Sequence, residues 1–180
     1  MLRVPFTNVW VNQFGLVKYP GEYRIRVDRG FSNKAHYQQI KTKNKRFYYV
    51  HRLVARVFVE NPCPEYFDQV HHLDNNRQNN NHTNLQWTSK KLNNAWKTNQ
   101  KLVKKTHDGF QVVFIFDKKT FTLPKIYRDE KKAEIDAKIY KLSLINAERQ
   151  HTVECAKSGF DPVRKHNEHI TRVVNNYNGI

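Results

Sequence analysis

The segment from Gln69 to Asn94, QVHHLDNNRQNNNHTNLQWTSKKLNN, constrains the fold more than any other part of the chain. Gln69 to Leu73 reads as a short strand, and the Asn-rich stretch from Asn75 to Asn84 as a long polar loop. Leu85-Gln86-Trp87 then returns as a strand. Ser89 follows as the cap of a helix through Asn93 and Trp96, because a Ser oxygen can accept the unpaired amide hydrogens of a first turn. The order is strand, loop, strand, helix, with two adjacent histidines at the end of the first strand. Successive strand side chains point to opposite faces, so a turn at His72 is needed for His71 and His72 to serve one site.

The flanks carry weaker patterns. Val9, Val11, Phe14 and Leu16 surround a Gln-Phe-Gly turn, which predicts a hairpin. Tyr23, Ile25 and Val27 alternate with Arg24 and Arg26, which predicts a half-buried strand with a basic face. His36 to Ile40, the turn Lys43-Asn44-Lys45, and Phe47 to Val50 predict a second hairpin. From His51 the period becomes helical through Leu53, Val54, Val57 and Phe58, and the helix should stop before Pro62. Beyond a basic linker, Lys101 to Thr106, a further sheet is expected. Phe110, Val112, Phe114 and Phe116 alternate, Asp117-Lys118-Lys119 turns, and Thr120 to Leu123 pairs back. A helix from about Arg128 should present Ala133, Ala137, Tyr140 and Leu144 on one face. The residues from about Gln150 onward are weakly patterned.

Charge narrows the class of partner. The net charge of +16 is spread along the 180 residues, so the folded surface itself must be basic and nucleic acid is its natural counterpart. No apolar run approaches the roughly 20 residues that span a bilayer, so a membrane partner is not expected. The N-terminus lacks the marks of a signal peptide, which points to an intracellular, non-secreted protein of a cytoplasm, nucleoid or organelle. Cys63 and Cys155 are far apart and neither belongs to a C-x-x-C pair, so both read as ordinary thiols.

Phosphodiester hydrolysis needs a base to deprotonate water, a cation to neutralise the developing charge, and a group that fixes the base's tautomer. A neutral imidazole with an ordinary pKa near ~6.5 can act as that base. With VHRLVARVFVENP before it, the VHHLDNNRQNNNHTNLQWTSKKLNN segment resembles the HNH homing endonucleases of phages and introns, whose catalytic unit is the ββα-metal fold. That resemblance covers roughly the first hundred residues and reaches back to VNQFGLVK. It implies His72 as general base, His71 and Asn93 as ligands of one divalent metal, and Asn84 as the residue that pins the loop and orients the base. Asn79 and Asn80 match the paired loop residues, and Trp87 the core tryptophan. Two positions depart from the family pattern: His71 stands in place of a common Asp or Asn ligand, and Asn75 in place of the loop glycine. Imidazole is softer than carboxylate, so Mn²⁺, Ni²⁺ or Zn²⁺ compete with Mg²⁺ as the metal. Asn tolerates the left-handed angles of that turn better than most residues and so can preserve it.

The stretch DGFQVVFIFDKKTFTLPKIYRDEKKAEIDAKIY resembles the Apetala/ethylene-response-factor type of DNA-binding domain, a small sheet backed by one helix. That likeness implies a sheet in the major groove with Gln111, Lys118, Lys119 and Lys125 as contacts. Lys90, Lys91 and Lys97 flank the metal helix and are phosphate-contact candidates, with Arg24 and Arg26 on the basic strand. Leu53, Val54, Phe58 and Trp87 read as core, His51 as a structural hydrogen-bonder, and the remaining histidines show no ligand spacing.

The expected architecture is α+β. Residues 1–61 form hairpins and a helix, 62–100 the ββα-metal unit, 107–146 a three-stranded sheet with a helix, and 147–180 a tail. The expected activity is site-specific cleavage of double-stranded DNA by a monomer. The alternative is a catalytically inactive nucleic-acid binder of the same fold, such as an RNA-binding or ribosome-associated subunit.

Overall fold

A computed structural model describes residues 1–18, 37–41, 47–96, 102–116, 119–160, 162 and 172–173. The expected strand from Tyr23 to Val27 with Arg24 and Arg26, the Lys43-Asn44-Lys45 turn, Lys97 and Lys118 lie outside the described residues, as does the side chain of Lys119. The chain is α+β, and its contacts divide it into two units, Met1–Ser89 and Lys90–Ile180.

The first unit opens with a three-stranded antiparallel meander, β1 (Leu2–Arg3), β2 (Trp10–Val11) and β3 (Val17–Lys18). The expected hairpin is therefore present, with one more strand before it. Its turn is built by Asn12, whose Oδ1 accepts from the backbone N–H of Phe14 and of Leu16, while Gly15 takes a φ of +85°. Next come β4 (Gln39–Lys41) and β5 (Phe47–Tyr49), paired antiparallel, and the helix α1 (Val50–Phe58). The helix ends ahead of Pro62, with Val59 already extended. It buries Val50, His51, Leu53, Val54 and Ala55; of the expected stripe Leu53 and Val54 are core, while Val57 and Phe58, nearer its end, are only half-buried.

β6 (Gln69–His72) and β7 (Leu85–Thr88) pair antiparallel, with His72 opposite Leu85 and Val70 opposite Trp87. A single 3₁₀ turn, His82–Asn84, closes the loop between them. Trp87 is core, as expected, and does one thing more. Its Nε1–H donates to the carbonyls of Ala55 (3.3 Å) and Val59 (3.1 Å), which satisfies the C-terminal end of α1.

The second unit begins with α2 (Lys90–Ala95), which starts directly after Ser89. Its sheet runs in the order β10 (Lys119–Tyr127), β9 (Gly109–Phe116), β8 (Val103–Thr106), all antiparallel. The stretch expected as a basic linker is in fact this edge strand. Only Val103 is buried there, while Lys104 and Lys105 are exposed, and edge strands commonly carry lysine to deter further pairing. The register of β10 against β9 breaks between Thr122 and Ile126, around Pro124, whose missing N–H cannot join a ladder. Val112, Phe114 and Phe116 face inward, and the Phe114 ring lies 5.1 Å from that of Tyr140 on α3 (Glu130–Lys157). The helix carries the expected Ala133, Ala137, Tyr140, Leu144 stripe but continues to Lys157, well into the stretch expected as a patternless tail. Asp129 caps its start through Oδ1 to the Lys131 N–H. No described helix is long and apolar enough to cross a membrane. Both cysteines are buried free thiols.

Candidate active site

His72 ends β6 and is buried, with 4% of its surface exposed. Both His71 and His72 remain paired in β6, and the turn comes directly after them: the Asn75 N–H donates to the His72 carbonyl at 3.0 Å, and Asn75 takes a left-handed φ of +59°. Asn at the glycine position thus makes the conformation that glycine would make.

The loop beyond the turn is organised around one carboxylate. Asp74 Oδ1 accepts from the Asn76 N–H (2.8 Å) and Asn84 Nδ2 (2.8 Å), and Oδ2 accepts from Asn79 Nδ2 (2.8 Å). The Asn79 amide, the Asn84 amide and the Asn76 backbone all favour the ionised form and hold its carboxyl below the usual carboxylate range, against a smaller opposing effect of desolvation. Asn84 also donates to the Asn79 carbonyl and accepts from the Asp74 N–H, so its side chain ties both ends of the loop together.

The direct contact to the base candidate comes from Asn80. Its Oδ1 lies 3.2 Å from His72 Nε2, and its Nδ2 donates to Gln38 Oε1 at 2.7 Å. With the amide nitrogen directed to Gln38, the oxygen faces His72, an arrangement that matches the tautomer with its proton on Nε2. The Nδ1 lone pair is then the basic one. Burial lowers the His72 pKa below its ordinary value, outweighing the Asn80 hydrogen bond and the Asp74 charge that raise it. The imidazole is neutral at physiological pH.

Two further segments close around this histidine. His51, the second residue of α1, has its ring 5.0 Å from that of His72, and Tyr37 lies 5.0 Å from His51 and 6.0 Å from His72. His51 Nδ1 is buried with no hydrogen-bond partner among the described residues. Desolvation, then the neighbouring His72 and Arg52, lower its pKa to about 3, so it too is neutral. Behind Asn80 sits the first hairpin. A Cβ on Gly15 would come within 2.8 Å of the Asn80 Cβ, and the His82 N–H donates to the Gln13 carbonyl at 2.8 Å.

The other expected site residues are distributed as follows. His71 is buried on β6 in the first unit, and Asn93 is half-buried on α2 in the second. No group of three or more His, Cys, Asp or Glu among the described residues could hold a metal ion. One imidazole and one carboxamide fit a divalent cation only as part of an open sphere completed by oxygens from substrate and water. Lys90 is exposed at the start of α2. Lys91 instead turns inward: Nζ donates to Glu148 Oε1 at 3.0 Å and lies 5.6 Å from the centre of the Phe116 ring. Gln111 is half-buried, its Nε2 donating to the Leu123 carbonyl. Lys125 is exposed, stacked over Tyr127 and 3.9 Å from Asp136.

Four residues of the His72 surroundings were not singled out from sequence as site members: Gln38, Tyr37, His51 and Asp74. Only Asp74 carried a local signal, as the sole carboxylate in an Asn-rich loop.

No family model matches the chain, and no solved structure does. Over 53 residues, 29% of this chain, it is 49% identical to a protein of Acanthamoeba polyphaga mimivirus named "Uncharacterized HNH endonuclease L245", of whose length the match covers 16%.

Proposed function

We propose that the chain is a metal-dependent DNA endonuclease of the HNH type, with a ββα-metal unit in which His72 is the general base. The observation that carries this reading is the Asn80 Oδ1 to His72 Nε2 contact at 3.2 Å, which favours the tautomer that leaves Nδ1 as a lone pair. Burial keeps that imidazole neutral and able to accept a proton. The mimivirus protein's name and the local identity point to the same chemistry.

In the proposed reaction a water gives its proton to His72 Nδ1 as its oxygen bonds to phosphorus, and the opposite phosphorus–oxygen bond breaks. By the resemblance, His71 and Asn93 would hold one divalent metal, which supplies charge neutralisation at the phosphate and leaving oxygen. Asn84 keeps the loop closed so that Asn80 stays against the base. The basic surface brings in duplex DNA, with Lys90 and Lys125 among its contacts, whereas Lys91 is committed to Glu148. The second unit's sheet serves as the anchoring module that selects the site.

Nicking of supercoiled plasmid with Mg²⁺ or Mn²⁺, with and without EDTA, tests the reading. His72→Ala is expected to bind DNA as wild type while nicking at least about 10²-fold more slowly. Nicking at the wild-type rate by that variant, or nicking that survives chelation, would overturn the assignment. DNA binding by a wild-type protein that never nicks would favour the inactive-binder alternative.

A further inference from the structure

His72 keeps only 4% of its surface exposed, and the phosphate it would act on must arrive at that surface. Arg77 lies on the same Asn-rich loop, exposed, with its guanidinium carbon 5.0 Å from the centre of the Tyr37 ring. Tyr37 is the ring that packs 6.0 Å from His72 and 5.0 Å from His51, and it meets Tyr49 edge-on at 5.7 Å. One aromatic ring therefore touches the buried histidine pair and also carries an exposed cation.

We propose that Arg77, stacked on Tyr37, is the residue that grips the phosphate to be cut. Stacking engages the face of a guanidinium and leaves its donors in the plane, where they match two oxygens of a phosphate. The ring also restricts the long side chain before substrate arrives, so less freedom is lost on binding and the charge is in place when negative charge develops. The hydrogen bonds of the loop fix the backbone on either side: the Asn76 N–H is held by Asp74, and the Gln78 N–H donates to Asn76 Oδ1 at 3.1 Å. This assignment rests on the reading of His72 as the base, and the residue is distinct from every basic residue that the sequence patterns nominate.

Two measurements on the full chain test it. In EDTA, affinity for a short duplex is followed against salt for wild type, Arg77→Gln and His72→Ala. Loss of one phosphate contact should lower the slope of log affinity against log salt by about 0.9 in Arg77→Gln and leave it unchanged in His72→Ala. In Mn²⁺, single-turnover nicking should fall about 10²-fold in Arg77→Gln and recover in part in Arg77→Lys. Tyr37→Ala should lose about tenfold while melting as a folded protein. An unchanged salt slope in Arg77→Gln overturns the phosphate contact. A lowered slope with an unchanged nicking rate overturns its place at the cleaved phosphate, because the contact is then a flanking one. A full slope effect together with undiminished nicking by His72→Ala leaves Arg77 standing and removes His72 as base. A wild-type protein that never nicks overturns the proposal together with the reading beneath it.

Discussion

Burial of His51 beside His72 gives the first unit a defined response to acid. The unfolded chain takes up a proton on this histidine near its ordinary pKa of 6.5, whereas the folded chain resists until about 3. Protons therefore bind the unfolded state more readily throughout that window. The stability of the first unit is complete above pH 6.5 and falls as pH drops towards 3, by up to about 1.4 kcal/mol per pH unit for this one group. His72, shifted in the same direction, adds to the slope. Urea midpoints measured between pH 7 and 4.5 should show His51→Leu with a shallower dependence than wild type, and equal slopes would contradict the assignment. Gly15 is a second single-residue test. A Cβ there meets strain at φ +85° and a clash with the Asn80 Cβ at 2.8 Å, which the buried Asn80 has little room to relieve. Gly15→Ala should cost about 1–2 kcal/mol and also slow nicking, because the displaced side chain is the one that orients His72. A melting shift with an unchanged rate would show that the hairpin supports the fold but not the base.

At the scale of elements, the second unit is tied internally by a pair that no pattern announces. Lys91 on α2 reaches Glu148 on α3, with side-chain exposures of 30% and 6%. Removing the lysine strands a buried carboxylate, whereas the half-exposed lysine could find water, so the two single variants are not equivalent. Lys91→Ala is expected to destabilise the second unit by about 2–3 kcal/mol, checked by thermal melting, and Lys91→Ala with Glu148→Leu to recover much of that. The same ion pair explains why the last three turns of α3, beyond residue 146, escaped sequence reading. The helix buries Ala133, Ala137, Tyr140 and Leu144, which an apolar stripe reveals, and then Glu148, Thr152 and Cys155 at the same spacing, where two of the three are polar. Thr152 hides its hydroxyl by donating to the Glu148 carbonyl. β8 was missed for the converse reason: an edge strand with two exposed lysines carries a strand's geometry without its alternation. By contrast the strand, loop, strand, helix order from Gln69 onward was legible, because each element is short, local and bounded by its own polar residues. What lay beyond the sequence was the company His72 keeps. Asn80 and Gln38 are 42 positions apart, and nothing local to either foretells their hydrogen bond.

For the molecule as a whole, the division after Ser89 falls inside the segment that the family resemblance treats as one unit, with β7 in the first unit and α2 in the second. Leu92 is fully buried and Lys91 leans on Glu148, so α2 owes its environment to residues far along the chain. A helix of six residues cannot hold itself in water, since isolated helices below roughly 12–15 residues are marginal. Ending the chain at Thr106 should therefore do more than remove an anchoring sheet. Amide exchange across Lys90–Ala95 is expected to accelerate to the rate of an unstructured peptide, and, under the role proposed for Asn93 on that helix, metal-dependent nicking to fall with it. Exchange protection that survives the truncation would show that α2 is held by the first unit.

His72 is mounted at Nε2 by one primary amide, Asn80, backed by a second, Gln38, and amides are the side chains that age. Spontaneous hydrolysis of Asn80 to aspartate would set a carboxylate against His72 Nε2–H and, on its other side, against Gln38 Oε1. The first contact would hold a proton on the imidazole and the second would repel, so one altered atom would both protonate the proposed base and loosen its mount. Stored preparations should accordingly split by isoelectric focusing into a parent band and more acidic bands. The acidic material should carry a disproportionate share of the lost nicking while retaining nearly all of the DNA binding, a shelf life written into the choice of asparagine.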